Sequence, residues 1–188
     1  PLFGAQNKGA GAARNAALDL AQGDWIAIVD ADDLLHPRRL ARLLEVAQST
    51  GAHMVADDMV YFGALDRQRA TLLEGHHSIS SGQISLINLI ESDSHQEGAA
   101  SLGYLKPLIR ADRLHGIRYD ENLPIGEDFD LYFRLLRAGA DFRVISDPMY
   151  LYRRHTHSTS HRLSSQALKQ MIRAQQHLHS DPDADHAL

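Results

Sequence analysis

Apolar and small residues divide the first part of the chain into alternating helices and strands. Residues 9–21 are rich in alanine and are followed by a glycine, which predicts a helix with a defined stop. Residues 25–29 form a short apolar run with β-branched members, whose length favours a buried strand. Pro37 opens a second helix that closes near Gly51, with leucines at helical spacing between them. Another apolar run at 53–57 completes an α/β pattern.

The second part of the chain contains one strongly predicted helix between less regular segments. Residues 126–139 open with acids, close with basic residues and stop at a glycine, which suits the helix dipole at both ends. The other predicted elements are strands at 60–62, 71–73, 104–110, 142–145 and 149–152, and helices at 84–90 and 162–179. Pro107 interrupts one of these strands, so an edge or bulged position is expected there.

Composition excludes several classes of function. The formal net charge is -5, so no global positive field exists to hold nucleic acid. The absence of cysteine rules out a disulfide framework, thiolate zinc ligands and a cysteine nucleophile. No apolar run approaches the roughly 20 residues that a membrane-spanning helix needs.

Three aspartates follow the first predicted strand directly. Side chains alternate along extended backbone, so Asp30 and Asp32 should face one way and Asp33 the other. Ligands of open α/β sheets collect beyond the carboxyl ends of strands, where carboxylates can hold Mg²⁺ or Mn²⁺ together with substrate phosphates. The alternative is that these acids are solvated turn residues, or that one of them caps the helix after Pro37.

Two further polar groups lie downstream. Glu127 and Asp128 open the strongly predicted helix, where a carboxylate could act as a rigidly held general base. Taken alone, these acids are more simply explained as helix caps. Arg153, His155 and Ser158 follow a predicted strand, where arginine and hydroxyl groups can bind phosphate and histidine can ligate a metal. The alternative for this group is an exposed loop before the last helix.

Four motifs occur in a fixed order along the chain. They are Asn7 and Gly9 with Ala13-Arg14-Asn15, the aspartates at 30–33, the segment at 126–131, and Tyr152-Arg153 with His155 and Ser158. In this order they resemble the family 2 glycosyltransferases of GT-A fold, an α/β fold with a Rossmann-like mixed sheet flanked by helices. The segments at 102–107 and 152–160 are similar more narrowly to bacterial exopolysaccharide glucosyltransferases of the succinoglycan type.

The resemblance implies a nucleotide-sugar donor, UDP-glucose in the first place, and a divalent cofactor, Mg²⁺ or Mn²⁺. The residues implied for the nucleotide-sugar are Arg14, Asp30, Arg153 and Ser158, and those implied for the metal are Asp32 and His155. The metal and an arginine would neutralise the negative charge that develops on the leaving nucleoside diphosphate.

The resemblance also implies the catalytic residues and the acceptor. Asp128 would be the catalytic base, with Glu127 supporting it or contacting the acceptor, and Lys106 would lie in the acceptor region. A single displacement would invert the anomeric configuration. The acceptor would be a glycan or a lipid-linked oligosaccharide in exopolysaccharide biosynthesis, at the cytoplasmic face of the plasma membrane with peripheral attachment.

The same resemblance divides the chain into a catalytic domain at 1–160 and a C-terminal helix with a polar tail at 161–188. Members of the family begin with strands that grip the base, and such strands are not found before the helix at 9–21. The expectation is therefore a partial, N-terminally truncated GT-A domain with an exposed sheet edge. Expressed alone, it is expected to bind nucleotide-sugar poorly.

Three other interpretations stay open at this point. A non-catalytic sugar- or nucleotide-binding module would keep its function after Asp32→Ala or Asp128→Ala. A haloacid-dehalogenase-type phosphatase also places D-x-D after a strand and uses a later lysine, here Lys106. That pattern, however, has Thr or Val where this chain has Leu34. A dinucleotide-binding loop is disfavoured because the third glycine is absent and no strand precedes the first.

Overall fold

The structure is a computed structural model that describes residues 7–63, 71–76, 79, 82–93 and 100–154. The α-helices in these ranges are α1 (Ala10–Leu20), α2 (Arg39–Thr50), α3 (Leu86–Asp93) and α4 (Glu127–Arg137). Helix α2 ends at Gly51, whose φ of 72° is the left-handed conformation that commonly closes a helix. Within the described ranges, no helix combines the length and the apolar character needed to cross a membrane.

The described strands form one mixed sheet. They are β1 (Trp25–Ala27), β2 (Leu34–Leu35), β3 (Met54–Gly63), β4 (Gln83–Ile84), β5 (Leu108–Arg110) and β6 (Phe142–Arg154). Their order is β1-β5-β3-β6-β2, with β4 pairing to β6 off this path. Strands β3 and β6 run parallel to each other, and the other pairs are antiparallel. The mixed sheet expected from the sequence is thereby confirmed.

Helices cover both faces of this sheet. Successive side chains of a strand point to opposite faces, and β3 accordingly sends Met54 into one apolar cluster and Val55 into another. The larger cluster includes Leu131 and Leu135 of α4, and the smaller includes Leu43 of α2. The sheet is therefore packed between α4 on one side and α2 on the other.

The last strand differs from the sequence prediction. The two strands expected at 142–145 and 149–152 are the single strand β6. Its pairing with β3 shifts register around Asp57 and Asp58, where Pro148 lies opposite Asp58. The prediction of two strands was wrong because an irregularity in the ladder absorbs the proline without ending the strand.

The observed boundaries of several other elements also differ from the predicted ones. The strand expected at 53–57 extends to Gly63 along β6. The second strand of the expected hairpin is reduced to an isolated bridge between Thr71 and Val60. The helix expected at 84–90 is preceded by the short strand β4, and β5 begins only after Pro107. The helix predicted at 162–179 lies outside the described residues.

Candidate active site

Five charged side chains from separate parts of the chain meet at one place, which we call the charged cluster. Its members are Arg14, Asp30, Lys106, Glu127 and Asp128. Arg14 Nη2 donates to Asp30 Oδ1 at 2.6 Å. Arg14 Nη1 donates to Glu127 Oε1 at 2.7 Å and to Asp128 Oδ1 at 3.0 Å. Lys106 Nζ lies 2.6 Å from Asp128 Oδ2 and 3.1 Å from Asp30 Oδ2. All five residues were candidates from the sequence.

Within the charged cluster, Lys106 and Asp30 each favour the ionised form of the other. Burial would lower the pKa of Lys106, which is 5% exposed, but the charges of Asp128 and Asp30 raise that pKa above its usual value. Burial would likewise raise the pKa of Asp30, but Lys106 and Arg14 hold it below its usual value. Lys106 and Asp30 are therefore both charged at neutral pH, Lys106 in a buried position and Asp30 in a half-buried one.

The start of helix α4 supplies two of the carboxylates. Gly126 precedes the helix with φ of 82°, a left-handed conformation in which any other side chain would be strained. This residue sets the direction in which the chain enters α4. Burial, and next the charge of Asp128, raise the pKa of Glu127 above its usual value. The positive end of the helix dipole acts in the opposite direction, because it favours ionised carboxylates at a helix start.

Helix α1 brings Arg14 into the charged cluster by docking closely on the segment that contains Tyr119. Asn15 Nδ2 donates to the Tyr119 carbonyl at 3.0 Å, and the Tyr119 N–H donates to Asn15 Oδ1 at 3.0 Å. A Cβ on Gly11 would lie 3.1 Å from the Asp120 carbonyl oxygen, so only glycine allows this approach without a shift. The A-R-N motif thus has a structural basis, because Asn15 anchors the helix whose neighbouring residue is Arg14.

The three aspartates lie in one turn at residues 30–33, which we call the Asp30 turn. Strand β1 has already ended, and the Asp33 N–H donates to the Asp30 carbonyl at 3.3 Å. The expectation that extended backbone continues through Asp33 was wrong, because residues 30–33 form a turn. Asp30 joins the charged cluster. Asp33 instead accepts hydrogen bonds of 2.7 Å from the Tyr150 hydroxyl and of 2.7 Å from the Arg153 N–H, which ties the turn to β6.

The remaining candidates lie beside this turn or outside the described residues. Asp32 is exposed, and its backbone carbonyl accepts a hydrogen bond of 2.7 Å from Arg153 Nε. The Arg153 guanidinium lies 4.6 Å from the centre of the Phe62 ring. Arg153, predicted to bind the diphosphate, and Asp32, predicted to bind the metal, are therefore neighbours. In the part of the chain that the structure describes, no group of three or more histidine and carboxylate side chains could enclose a metal. His155 and Ser158 lie outside that part.

Two tyrosines that support the charged cluster were not predicted from the sequence. The Tyr150 hydroxyl accepts a hydrogen bond from the Asp30 N–H at 3.1 Å while donating to Asp33. The Tyr119 ring lies 5.3 Å from the Arg14 guanidinium, and burial, followed by the charge of Asp128, raises the pKa of Tyr119. Both contacts join residues far apart in the chain, so no local pattern indicates them.

The arrangement offers a defined set of chemical abilities. Asp128 uses one oxygen for Lys106 and the other for Arg14, and each carboxylate oxygen can accept a second hydrogen bond. A hydroxyl group could thus be oriented by Asp128 without breaking either ion pair. Lys106 was expected in the acceptor region. The structure places it almost fully buried between two carboxylates, and its relation to an acceptor stays a prediction.

Comparison with known proteins gives consistent matches. The family model described as Glycosyl transferase family 2 matches residues 2–103, just over half of the 188-residue chain. The succinoglycan biosynthesis protein ExoU of Rhizobium meliloti is 34% identical over 163 residues, which cover 84% of this chain and 47% of that protein. The succinoglycan biosynthesis protein ExoO of the same organism is 33% identical over 171 residues, covering 90% and 49%. The chain thus spans about half the length of these curated relatives, and the resemblance stated from the motifs is confirmed.

Solved structures agree on the fold. The crystal structure of S. aureus TarS 1-349 in complex with UDP-GlcNAc has a TM-score of 0.67 at 16% identity, covering 93% of this chain and 48% of that one. The complex of the same protein with UDP has a TM-score of 0.62 at 18% identity, covering 89% and 44%. At such low identity the likeness concerns the fold alone, and it confirms the expected GT-A architecture.

Proposed function

Since the chain belongs to glycosyl transferase family 2, we propose that it contains the catalytic centre of an inverting glycosyltransferase that moves glucose from UDP-glucose to a hydroxyl group of a glycan. The observation that carries the proposal is the charged cluster, in which Asp128 at a helix start is joined through Lys106 and Arg14 to the Asp30 turn. One site would thereby hold a base for the acceptor next to the groups for the donor.

Asp128 is the base in this proposal. Its side chain is 9% exposed, and its two ion pairs fix the direction of both carboxylate oxygens. A remaining lone pair would accept the hydrogen bond of the acceptor hydroxyl and then its proton, as the hydroxyl oxygen attacks the anomeric carbon. The bond to the diphosphate breaks on the opposite face of the sugar, so one displacement inverts the anomeric configuration.

The Asp30 turn would bind the donor. Asp30 is proposed to contact the ribose or help position the metal, with Arg14 and Arg153 on the nucleotide side. The exposed Asp32 provides oxygen ligands that suit Mg²⁺ or Mn²⁺ bound jointly with substrate phosphates, the usual mode for magnesium. When bound, such an ion neutralises negative charge on the leaving diphosphate. His155 and Ser158 remain proposed contributors to this end of the site.

The comparisons support the substrate classes. The two curated relatives are named for succinoglycan biosynthesis, which favours a role in exopolysaccharide synthesis with a glycan or lipid-linked oligosaccharide as acceptor. The structural neighbour was solved with UDP and with UDP-GlcNAc, which favours a UDP-sugar donor. We place the reaction at the cytoplasmic face of the plasma membrane with peripheral attachment, where a soluble donor and a lipid-linked acceptor can meet.

A donor screen with the full-length protein tests this proposal. UDP-glucose, UDP-galactose and UDP-GlcNAc are incubated with the protein and with Mg²⁺, Mn²⁺ or EDTA, and released UDP is quantified. We expect release from UDP-glucose that requires the metal and increases with a glycan acceptor. No release from any of these donors, together with tight sugar binding in calorimetry, would instead favour the binding-only interpretation.

The stereochemical part of the proposal has its own measurement. Proton NMR of the transferred glucose reports the anomeric configuration through the coupling of its anomeric proton. UDP-glucose carries an α-linked sugar, so the expected product is β-linked. An α-linked product would contradict a single displacement with Asp128 as the base, even if transfer itself were efficient.

A further inference from the structure

A fully buried ion pair, Arg39 with Asp57, lies next to the charged cluster. Arg39 is 0% exposed and Asp57 is 1% exposed. Arg39 Nη2 donates to Asp57 Oδ1 at 2.7 Å, and Arg39 Nε donates to the same carboxylate at 2.9 Å, which gives a fork-like pairing. Arg39 is in the first turn of α2, and Asp57 is in the central strand β3. Neither residue is part of the proposed reaction.

Fold stability is a poor explanation for this pair. Removing two charges from water is costly, and apolar replacements of buried ion pairs are often neutral or stabilising. Among the residues that the structure describes, the buried Arg39 Nη1 moreover has no hydrogen-bond partner, which adds an unsatisfied donor to the cost. A group retained at such a cost calls for a purpose that apolar packing cannot serve.

The contacts of Arg39 indicate that purpose. Arg39 Nη2 also donates to the backbone carbonyl of Lys106. The Arg39 guanidinium lies 4.8 Å from the centre of the Tyr150 ring, whose hydroxyl contacts the Asp30 N–H and the Asp33 carboxylate. The Arg39 guanidinium therefore contacts both Lys106 and Tyr150, and Tyr150 in turn holds the Asp30 turn.

We propose that Arg39 is a positioning residue for glycosyl transfer, which sets the distance between the Lys106 backbone and the Asp30 turn. Lys106 Nζ can then contact the carboxylates of Asp30 and Asp128 at the same time. This inference rests on the proposed function. Asp57 has the role of fixing the guanidinium plane by accepting hydrogen bonds from Nε and Nη2. A lysine could not replace Arg39, because an ammonium group is a point donor that cannot hold a carboxylate fork and a carbonyl in one plane.

A paired substitution separates positioning from folding. Arg39→Met with Asp57→Leu removes both buried charges at once, so that no unpaired ion remains in the core. The matched control is Arg42→Met with Asp147→Leu, which removes an exposed pair of 3.3 Å that starts from the same helix. Arg39→Lys is the conservative variant. All are made in the full-length protein, and their melting temperatures are compared with that of the wild type.

Two readouts are then measured on the folded proteins. Amide hydrogen exchange reports the Asp30 turn without needing activity, and kcat and KM for UDP-glucose report the reaction. We expect faster exchange at 30–33 in the core double variant and in Arg39→Lys, and a fall in kcat of roughly tenfold to a hundredfold that exceeds any change in KM. The surface control should match the wild type in both readouts.

The outcomes distinguish this inference from the proposed function. Unchanged exchange at 30–33, unchanged kcat, or a change confined to KM would each overturn the positioning role. Loss of the folded state in the core double variant would also overturn it, since the pair would then maintain the fold. Faster exchange in a protein whose wild type transfers no glucose would instead contradict the proposed function.

Discussion

Asp30 links the stability of the protein to pH. Its carboxylate contacts two cations, Lys106 and Arg14, which hold its pKa below the usual value of about 3.9. A depressed pKa means that the folded state binds fewer protons there than the unfolded state does. The ionised carboxylate therefore stabilises the fold above about pH 4, and this contribution is lost as pH falls through the folded pKa.

Asp30→Asn tests this sign. Melting temperatures of wild type and variant are measured from pH 7 down to about pH 3. The wild type should lose stability more steeply on acidification, so that the two curves converge at low pH. Curves that stay parallel over the whole range would show that Asp30 is not held in its charged form by Lys106 and Arg14.

Tyr150→Phe tests the hydrogen bonds that join β6 to the Asp30 turn. The change removes a hydroxyl that contacts the Asp30 N–H and the Asp33 carboxylate, and leaving such groups without a partner costs about 1–3 kcal/mol. We expect lower stability and lower kcat/KM for UDP-glucose. Tyr132→Phe is the control, because it removes another buried hydroxyl that donates 2.8 Å to the Leu105 carbonyl and leaves the turn intact. Equal activity losses in both variants would argue against a specific role of Tyr150.

The single residues of the charged cluster were predictable because each belongs to a short motif, whereas their pairing was not. Lys106 was assigned to the acceptor region, and only the fold reveals its contacts with Asp30 and Asp128. Tyr150 stood next to a motif without a role of its own. Contacts across the fold depend on strand order and helix docking, which neighbouring letters do not determine.

At the scale of elements, the close packing of α1 against the segment at 119–121 determines where Arg14 lies. Gly11→Ala places a methyl group 3.1 Å from the Asp120 carbonyl oxygen, and the helix must shift by a few tenths of an ångström. Alanine is intrinsically better than glycine in a helix by about 1 kcal/mol, so a free helical position would be stabilised. We expect no rise in melting temperature and a lower kcat/KM, because Arg14 moves with the helix. A stabilised variant with wild-type kinetics would contradict this account of α1.

Element ends were predicted well where local chemistry determines them. Gly51 closes α2 and Gly126 precedes α4, and both signals can be read from the sequence. Strand lengths were predicted poorly, because β3 and β6 extend each other through their pairing across the irregularity at Asp58. A strand ends where its partner ends, and the partner cannot be identified from one segment.

At the scale of the whole molecule, the sheet unites residues that are far apart in the chain. Arg14 and Asp30 come from the first part, Lys106 from the segment before β5, and Glu127 and Asp128 from α4. The α/β class and the family were predictable because the motifs and their order can be read from the sequence without knowing which residues are in contact.

Asp128 is the proposed base of a glycosyl transfer centred on the charged cluster. The most direct test of this role compares the transfer rate from UDP-glucose for the wild type, Asp128→Asn and Asp130→Asn in the full-length protein. Asp130 is a matched control, because it is an equally buried acid in α4 that pairs with Arg134 at 2.5 Å instead of joining the charged cluster. We predict that Asp128→Asn lowers kcat by about a hundredfold to ten-thousandfold, whereas Asp130→Asn lowers the melting temperature and leaves kcat near that of the wild type. Equal rates for the wild type and Asp128→Asn would contradict the account.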